Sequence, residues 1–157
     1  MSTTEEVRER PAQDARDDTD LGDLLQEVRV LLQGAQVLTA FLVILPFNQG
    51  FVQITEIEKW VYLITFMCSV TSLVLFSAPA AMHRIVRPLR NPQKFKDLAS
   101  RMVVVGLVFA SLALTLAVQL VVSRVLENWA SLIASGAIAV VILVLWWVLP
   151  LARKRDM

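Results

Sequence analysis

The chain has 157 residues, 56% of them apolar, with 15 basic side chains against 14 acidic ones and a single histidine. Mean hydropathy is +0.60, and four windows carry no charge at all: Val30–Phe47 (18 residues), Trp60–Met82 (23), Met102–Ser123 (22) and Trp129–Leu149 (21). About 20 residues at about 1.5 Å rise cross the hydrocarbon core of a bilayer. Runs of this length therefore exclude a soluble globular enzyme, and the single cysteine excludes an intrachain disulfide framework or a cysteine-rich metal site.

Lipid offers a bare backbone no hydrogen-bond partner, so each window must be a helix or a barrel strand. Strands would be about half as long and would alternate apolar with polar residues. The expected fold class is all-α: a four-transmembrane-helix bundle, up-down-up-down, with spans near 30–47, 60–82, 102–123 and 129–149. The expected organisation is an acidic tail over 1–20, a transmembrane domain over 21–150 and a basic tail over 151–157.

The first 20 residues carry seven carboxylates, few apolar groups and Pro11. Such a segment buries too little surface to offset its ordering entropy and is expected to be disordered. Asp20 can cap a helix beginning at Leu21, where Leu24, Leu25, Val28, Leu31 and Leu32 recur at helical spacing. A cleaved signal peptide fits poorly, because the apolar run starts 30 residues in behind acidic sequence, so all four helices are expected to remain. Pro46 marks the exit of the first span. Thr55 followed by Glu58 is a capping-box pattern that starts the second helix near Glu56, with Trp60 and Tyr62 at interfacial aromatic positions. Pro79 is expected to bend or end that helix. Asn91–Pro92 is a cap-plus-first-position signature for the third helix, and Ser123–Asn128 is a tight turn that makes the third and fourth helices antiparallel neighbours. Trp129 anchors one end of the fourth helix; Trp146 and Trp147 anchor the other.

Basic residues set the expected orientation. Thirteen of the 15 lie in 1–29, 83–101 and the tail, and only Lys59 and Arg124 lie on the other side. Short segments rich in Lys and Arg stay in the cytoplasm. Both termini are therefore expected inside, in a cell (inner) membrane.

Polar residues within the spans are the candidates for chemistry. Arg29, Gln33, Gln36 and Ala40 follow a 4–3–4 spacing that places them on one helix face. An unpaired glutamine is costly in lipid, so this face is expected to point into the bundle, as packing glue or as a polar lining. Thr65, Ser69 and Ser72 share a face of helix two, and their hydroxyls can bond back to their own helix. On helix three, Gly106, Ala110, Ala113 and Ala117 form a small-residue packing stripe, and Ser111, Thr115 and Gln119 form a separate polar face. On helix four, Ala130 and Ala134, and Ser131 and Ser135, repeat every four residues, matching tight packing on helix three. The candidate polar bundle face is thus Arg29, Gln33, Gln36, Ser111, Thr115 and Gln119. A second candidate is an ionic cluster at the cytoplasmic interface, Glu27, Arg29, His83 and Arg84, whose alternative is arginines reaching lipid phosphate while Glu27 faces water. No span carries a charged or histidine residue in its middle, which argues against a proton- or sodium-coupled transporter. One histidine, one cysteine and five scattered glycines supply no triad, zinc set or phosphate loop. Neither catalytic residues, a cofactor nor a metal is expected.

Glu27-x-Arg29, Gly34-x-Gln36-x-Leu38, Ala40-Phe41-Leu42, Pro46-Phe47, Ala78-Pro79 and His83-Arg84 give the chain a resemblance. Over roughly 21–123 it resembles an uncharacterised family of small four-helix bacterial integral membrane proteins, common in actinobacteria and of unknown function. Some members carry automatic sodium:proton antiporter labels. The resemblance implies a four-span membrane fold and supplies no site residue; Asn48 stands where the family pattern has Gln.

The expected function is that of a non-enzymatic structural, accessory or regulatory multi-pass membrane protein. The alternative is a small oligomeric transporter or channel-like module, cation-related, lined by the two polar faces. The partners expected are the bilayer, anionic lipid at the cytoplasmic face, and a second copy or a partner membrane protein. The basic 84–101 connection suits anionic lipid and is too sparse for nucleic acid.

Overall fold

A computed structural model describes residues 2–49, 51, 54–85, 92–125 and 128–153, with the side chains of 2–21, 92 and 128 left aside. Helix α1 is Ser2–Ile44, α2 is Glu56–Ile85, α3 is Pro92–Val122, α4 is Asn128–Leu143 and α5 is Leu149–Arg153. No strand occurs among the described residues. Among the described residues, four stretches are long and apolar enough to cross a membrane: Gly22–Phe47, Glu56–Ile85, Gln93–Val122 and Trp129–Arg153. The chain is accordingly a membrane protein with an all-α, four-helix architecture. The tail 151–157 falls outside the described residues beyond Arg153, and the acidic segment 1–20 is described only as backbone, in the first part of α1.

Local chemistry sets the boundaries. α1 gives way at Ile44 to one 3-10 turn, Leu45–Phe47, because Pro46 has no N–H to continue the helical ladder. The capping box forms as the spacing requires: Thr55 N–H donates to Glu58 Oε2 at 2.8 Å, and Glu58 N–H donates to Thr55 Oγ1 at 3.4 Å. Pro79 sits inside α2 and does not end it; the helix runs on to Ile85 with Pro79 buried. Asn91 lies outside the described residues, and α3 begins at Pro92.

The fourth span is not one regular helix. Between α4 and α5 the backbone widens into a π turn over Val144–Val148. Pro150 explains the position, since its ring collides with the carbonyl four residues back, at Trp146, and a wider turn swings that carbonyl aside. Both Trp146 and Trp147 lie on this turn.

Successive helices are antiparallel. Tyr62 Oη on α2 donates to the Leu42 carbonyl of α1 at 3.0 Å, and Gln119 of α3 bonds Ser131 of α4. α2 and α3 form the central pair, α1 packs on α2 and touches α3, and α4 leans on α3. The core lies where the first three meet. Val28 and Ala35 of α1, Phe76 of α2 and Val103 of α3 form its centre. Gly106 makes this possible: a Cβ there would stand 2.7 Å from Phe76 Cε1 and 3.3 Å from the Leu75 Cβ, so the missing side chain lets the ring approach α3 this closely. A second cluster, Phe95 and Ala99 against Leu24, Leu25 and Met82, packs where α2 ends and α3 begins.

Candidate functional site

Short hydroxyl side chains line the seams. Thr65, Ser69 and Ser72 of α2 are buried. Thr65 Oγ1 donates to the Val61 carbonyl at 2.6 Å and Ser72 Oγ to the Ser69 carbonyl at 2.8 Å, so the helix itself satisfies them. Ser69 reaches across to α1, where its hydroxyl shares a 2.7 Å hydrogen bond with that of Thr39. On α3, Ser111 and Thr115 likewise donate to the carbonyls of Leu107 and Ser111, at 2.7 and 2.9 Å.

Gln119 is used differently. Its Nε2 donates to Ser131 Oγ at 3.2 Å, and its Oε1 accepts from the Ser135 hydroxyl. One amide thus brackets two serines a turn apart on α4. This interhelical clasp pairs two patterns that sequence reading left separate, and the four-residue repeat of Ser131 and Ser135 opposite a glutamine is the signal that could have joined them.

The six residues of the expected polar bundle face do not come together. Arg29, Gln33 and Gln36 are exposed on the outer side of α1, away from Ser111, Thr115 and Gln119. The reason lies on the other side of the same helix, where Val28, Ala35 and Leu42 are buried and Leu24, Leu31 and Leu32 pack on the core. That apolar seam matches the α2–α3 groove, and a helix turns only one face inward.

The expected ionic cluster is not assembled either. Glu27, Arg29 and Arg84 are exposed and make no ion pair with one another among the described residues. His83 is half-buried with its ring 5.9 Å from that of Phe95. The Phe95 cluster occupies the space between these helices, so the charged groups point outward around it. On the opposite side, Arg124 pairs with Glu58 at 2.9 Å, joining the end of α3 to the capping box of α2.

Among the described residues, three clefts of about 300, 410 and 500 Å3 follow the α1–α3 seam in a chain, and a separate one of about 400 Å3 lies between α2 and α3 beside Thr55, Glu58, Gln119 and Ser123. The first is lined by Leu31, Ala35, Phe76, Ala110 and Trp146, and shares Gly34 and Leu38 with the second. The third adds Asn48 and Arg124 at its mouth. The walls of these three are otherwise apolar except for Ser72, so they are not a polar path through the bundle. Among the described residues no three His, Cys, Asp or Glu side chains stand close enough to hold a metal ion.

The sequence profile of a family of unknown function, DUF6328, matches residues 10–150. The chain belongs to this family. The DUF6328 match extends past both ends of the 21–123 stretch on which the resemblance was read, and takes in α4 and the π turn. No curated protein and no solved structure matches the chain. The DUF6328 description names no activity, solute or source, so the antiporter label and the actinobacterial setting remain expectations of the resemblance.

Proposed function

We infer that this DUF6328 chain is a non-enzymatic multi-pass protein of the cytoplasmic membrane with a structural, accessory or regulatory role. The observation that carries the reading is the saturation of its interior. Every buried side-chain nitrogen or oxygen among the described residues has a hydrogen-bond partner, and the partners are the same helix or the next one. A conduit needs polar groups left free to trade partners with a passing solute. Here Thr65, Ser72, Ser111 and Thr115 are spent on backbone carbonyls, Ser69 on the Thr39 hydroxyl, and Gln119 on Ser131 and Ser135.

An even number of crossings would put both termini on one side, and the Lys and Arg bias supports the cytoplasm as that side. Arg29, Arg84, Arg101 and Arg153 are exposed at that end of the bundle, where anionic headgroups would pair with them. Reconstitution into liposomes under a sodium or proton gradient tests the role. The expected dye response equals that of protein-free vesicles; sustained flux that Gln36→Ala abolishes would overturn the reading. Reporter fusions at each end test the topology, and reporters in opposite compartments would be incompatible with it.

A further inference from the structure

We propose that the outward face of α1 is a self-association surface, on which two copies of this chain pair through Gln33 and Gln36 within the membrane. The proposal rests on the structural, accessory or regulatory reading and names one partner, a second copy.

Three observations converge. First, α1 carries two seams of the same 4–3 spacing on opposite sides. The inner one, through Leu24, Val28, Leu31, Ala35, Leu38 and Leu42, is apolar and is used up within the chain. The outer one, through Arg29, Gln33, Gln36, Ala40 and Val43, is exposed along its whole length within α1, Val43 at 46%. A seven-residue repeat of this kind is the geometry by which two helices pack knobs into holes.

Second, the outer seam places amides where lipid cannot serve them. Gln36 lies seven residues past Arg29, about 10 Å further along the helix axis. That puts it beyond the headgroups and inside hydrocarbon. Neither Gln33 nor Gln36 bonds to another described residue, and both are exposed. Hydrocarbon supplies neither donor nor acceptor, so each amide has two unmet needs.

Third, the need is self-complementary. A primary amide offers a carbonyl acceptor and an N–H donor side by side. Two copies inserted the same way round relate by a twofold axis along the membrane normal, which brings each residue to the depth of its own counterpart. Gln36 then meets Gln36 of the second copy, and either amide can donate while the other accepts. Ala40, one turn on, has the small side chain that lets the two backbones approach. Arg29, one turn before Gln33, diverges to the headgroup layer, so like charges need not face each other. A different membrane protein would have to present a polar group at that one depth, whereas a second copy does so by symmetry.

Cysteine cross-linking in native membranes tests the face. In a full-length Cys68→Ala background, single Ala40→Cys and Val74→Cys variants are oxidised and resolved by mass. Val74 is an exposed control on α2, at 57%. The expected product for Ala40→Cys is a species of twice the 17.6 kDa chain mass, and Val74→Cys is expected to stay monomeric. Adding Gln33→Leu and Gln36→Leu should cut the Ala40→Cys dimer on the order of ten-fold. Those leucines replace lipid-facing amides and should leave helical content and monomer unfolding unchanged, which separates lost pairing from misfolding. Monomer alone at Ala40→Cys, equal cross-linking at Val74→Cys, or an Ala40→Cys adduct of another mass would each overturn the proposal. Vesicle flux is a separate readout, so self-association can fail while the role proposed above stands, and the reverse.

Discussion

The hydroxyl stripe of α2 and the glutamine stripe of α1 look alike in sequence: polar groups at 4–3 spacing within an apolar helix. In the fold they part company. Thr65, Ser69 and Ser72 are 0%, 0% and 1% exposed, whereas Gln33 and Gln36 stand on the outside. Side-chain reach explains the split. A serine or threonine closes its own hydrogen bond within one turn, remains small, and lets a neighbouring helix approach closely. A glutamine extends further, and needs a partner on another helix for both ends of its amide. Gln119 has that partner in the paired serines of α4; Gln33 and Gln36 have none among the described residues. In this chain, the hydroxyls at 4–3 spacing on α2 mark an internal seam, and the Gln119 amide is held between helices by a facing pair of hydroxyls.

The sharpest test attacks the seam. Gly106→Ala would push a methyl to within 2.7 Å of the buried Phe76 ring, and overpacking of this kind costs about 1–3 kcal/mol. Steric denaturation curves in mixed micelles should show that loss, and Phe76→Leu in the same chain should restore most of it. Val37→Ala, on the outer side of α1 at 70% exposure, should stay within about 0.5 kcal/mol. Equal losses at the two sites would erase the distinction between sealed and open faces.

A smaller effect compares the amides directly. Gln119→Leu should cost about 1 kcal/mol in the same assay, since it removes both bonds of the clasp. Gln36→Leu, measured on dilute monomer, should cost nothing measurable. A Gln36→Leu penalty equal to that of Gln119→Leu would mean that Gln36 has a partner inside the chain.

The smallest expected change is at the start of α2. Thr55→Ala deletes the hydroxyl of the capping box and should cost about 0.5–1 kcal/mol, seen as faster amide exchange over the first turn near Glu56. No change in exchange would show that Arg124, which also holds Glu58, suffices to fix that turn.

Much of this was legible residue by residue. The capping box, the Pro46 exit, the antiparallel α3–α4 hairpin and the small stripe at Gly106 and Ala113 follow from short-range rules, and each depends on neighbours within about one turn. The polar bundle face was not legible, because its two halves sit on different helices whose rotation no local pattern encodes. The Gln119 clasp was missed for the same reason: its serines lie 12 and 16 residues away, beyond a turn. The π turn had a signal in Pro150, but a proline in a membrane helix can be met by a kink as well as by a wider turn.

Sequence by itself determined that the chain builds four long apolar helices, that the first gives way at Pro46 and that the second begins at the Thr55–Glu58 capping box. Hydrophobic length and backbone hydrogen bonding act along a single segment, so one segment suffices to read them. Only the tertiary structure decided how each helix is rotated about its own axis, and hence that α1 turns its leucines inward and its glutamines out. Rotation is a competition between faces for one groove, and the shape of that groove, with Phe76 lying against Gly106, exists only once the helices have met.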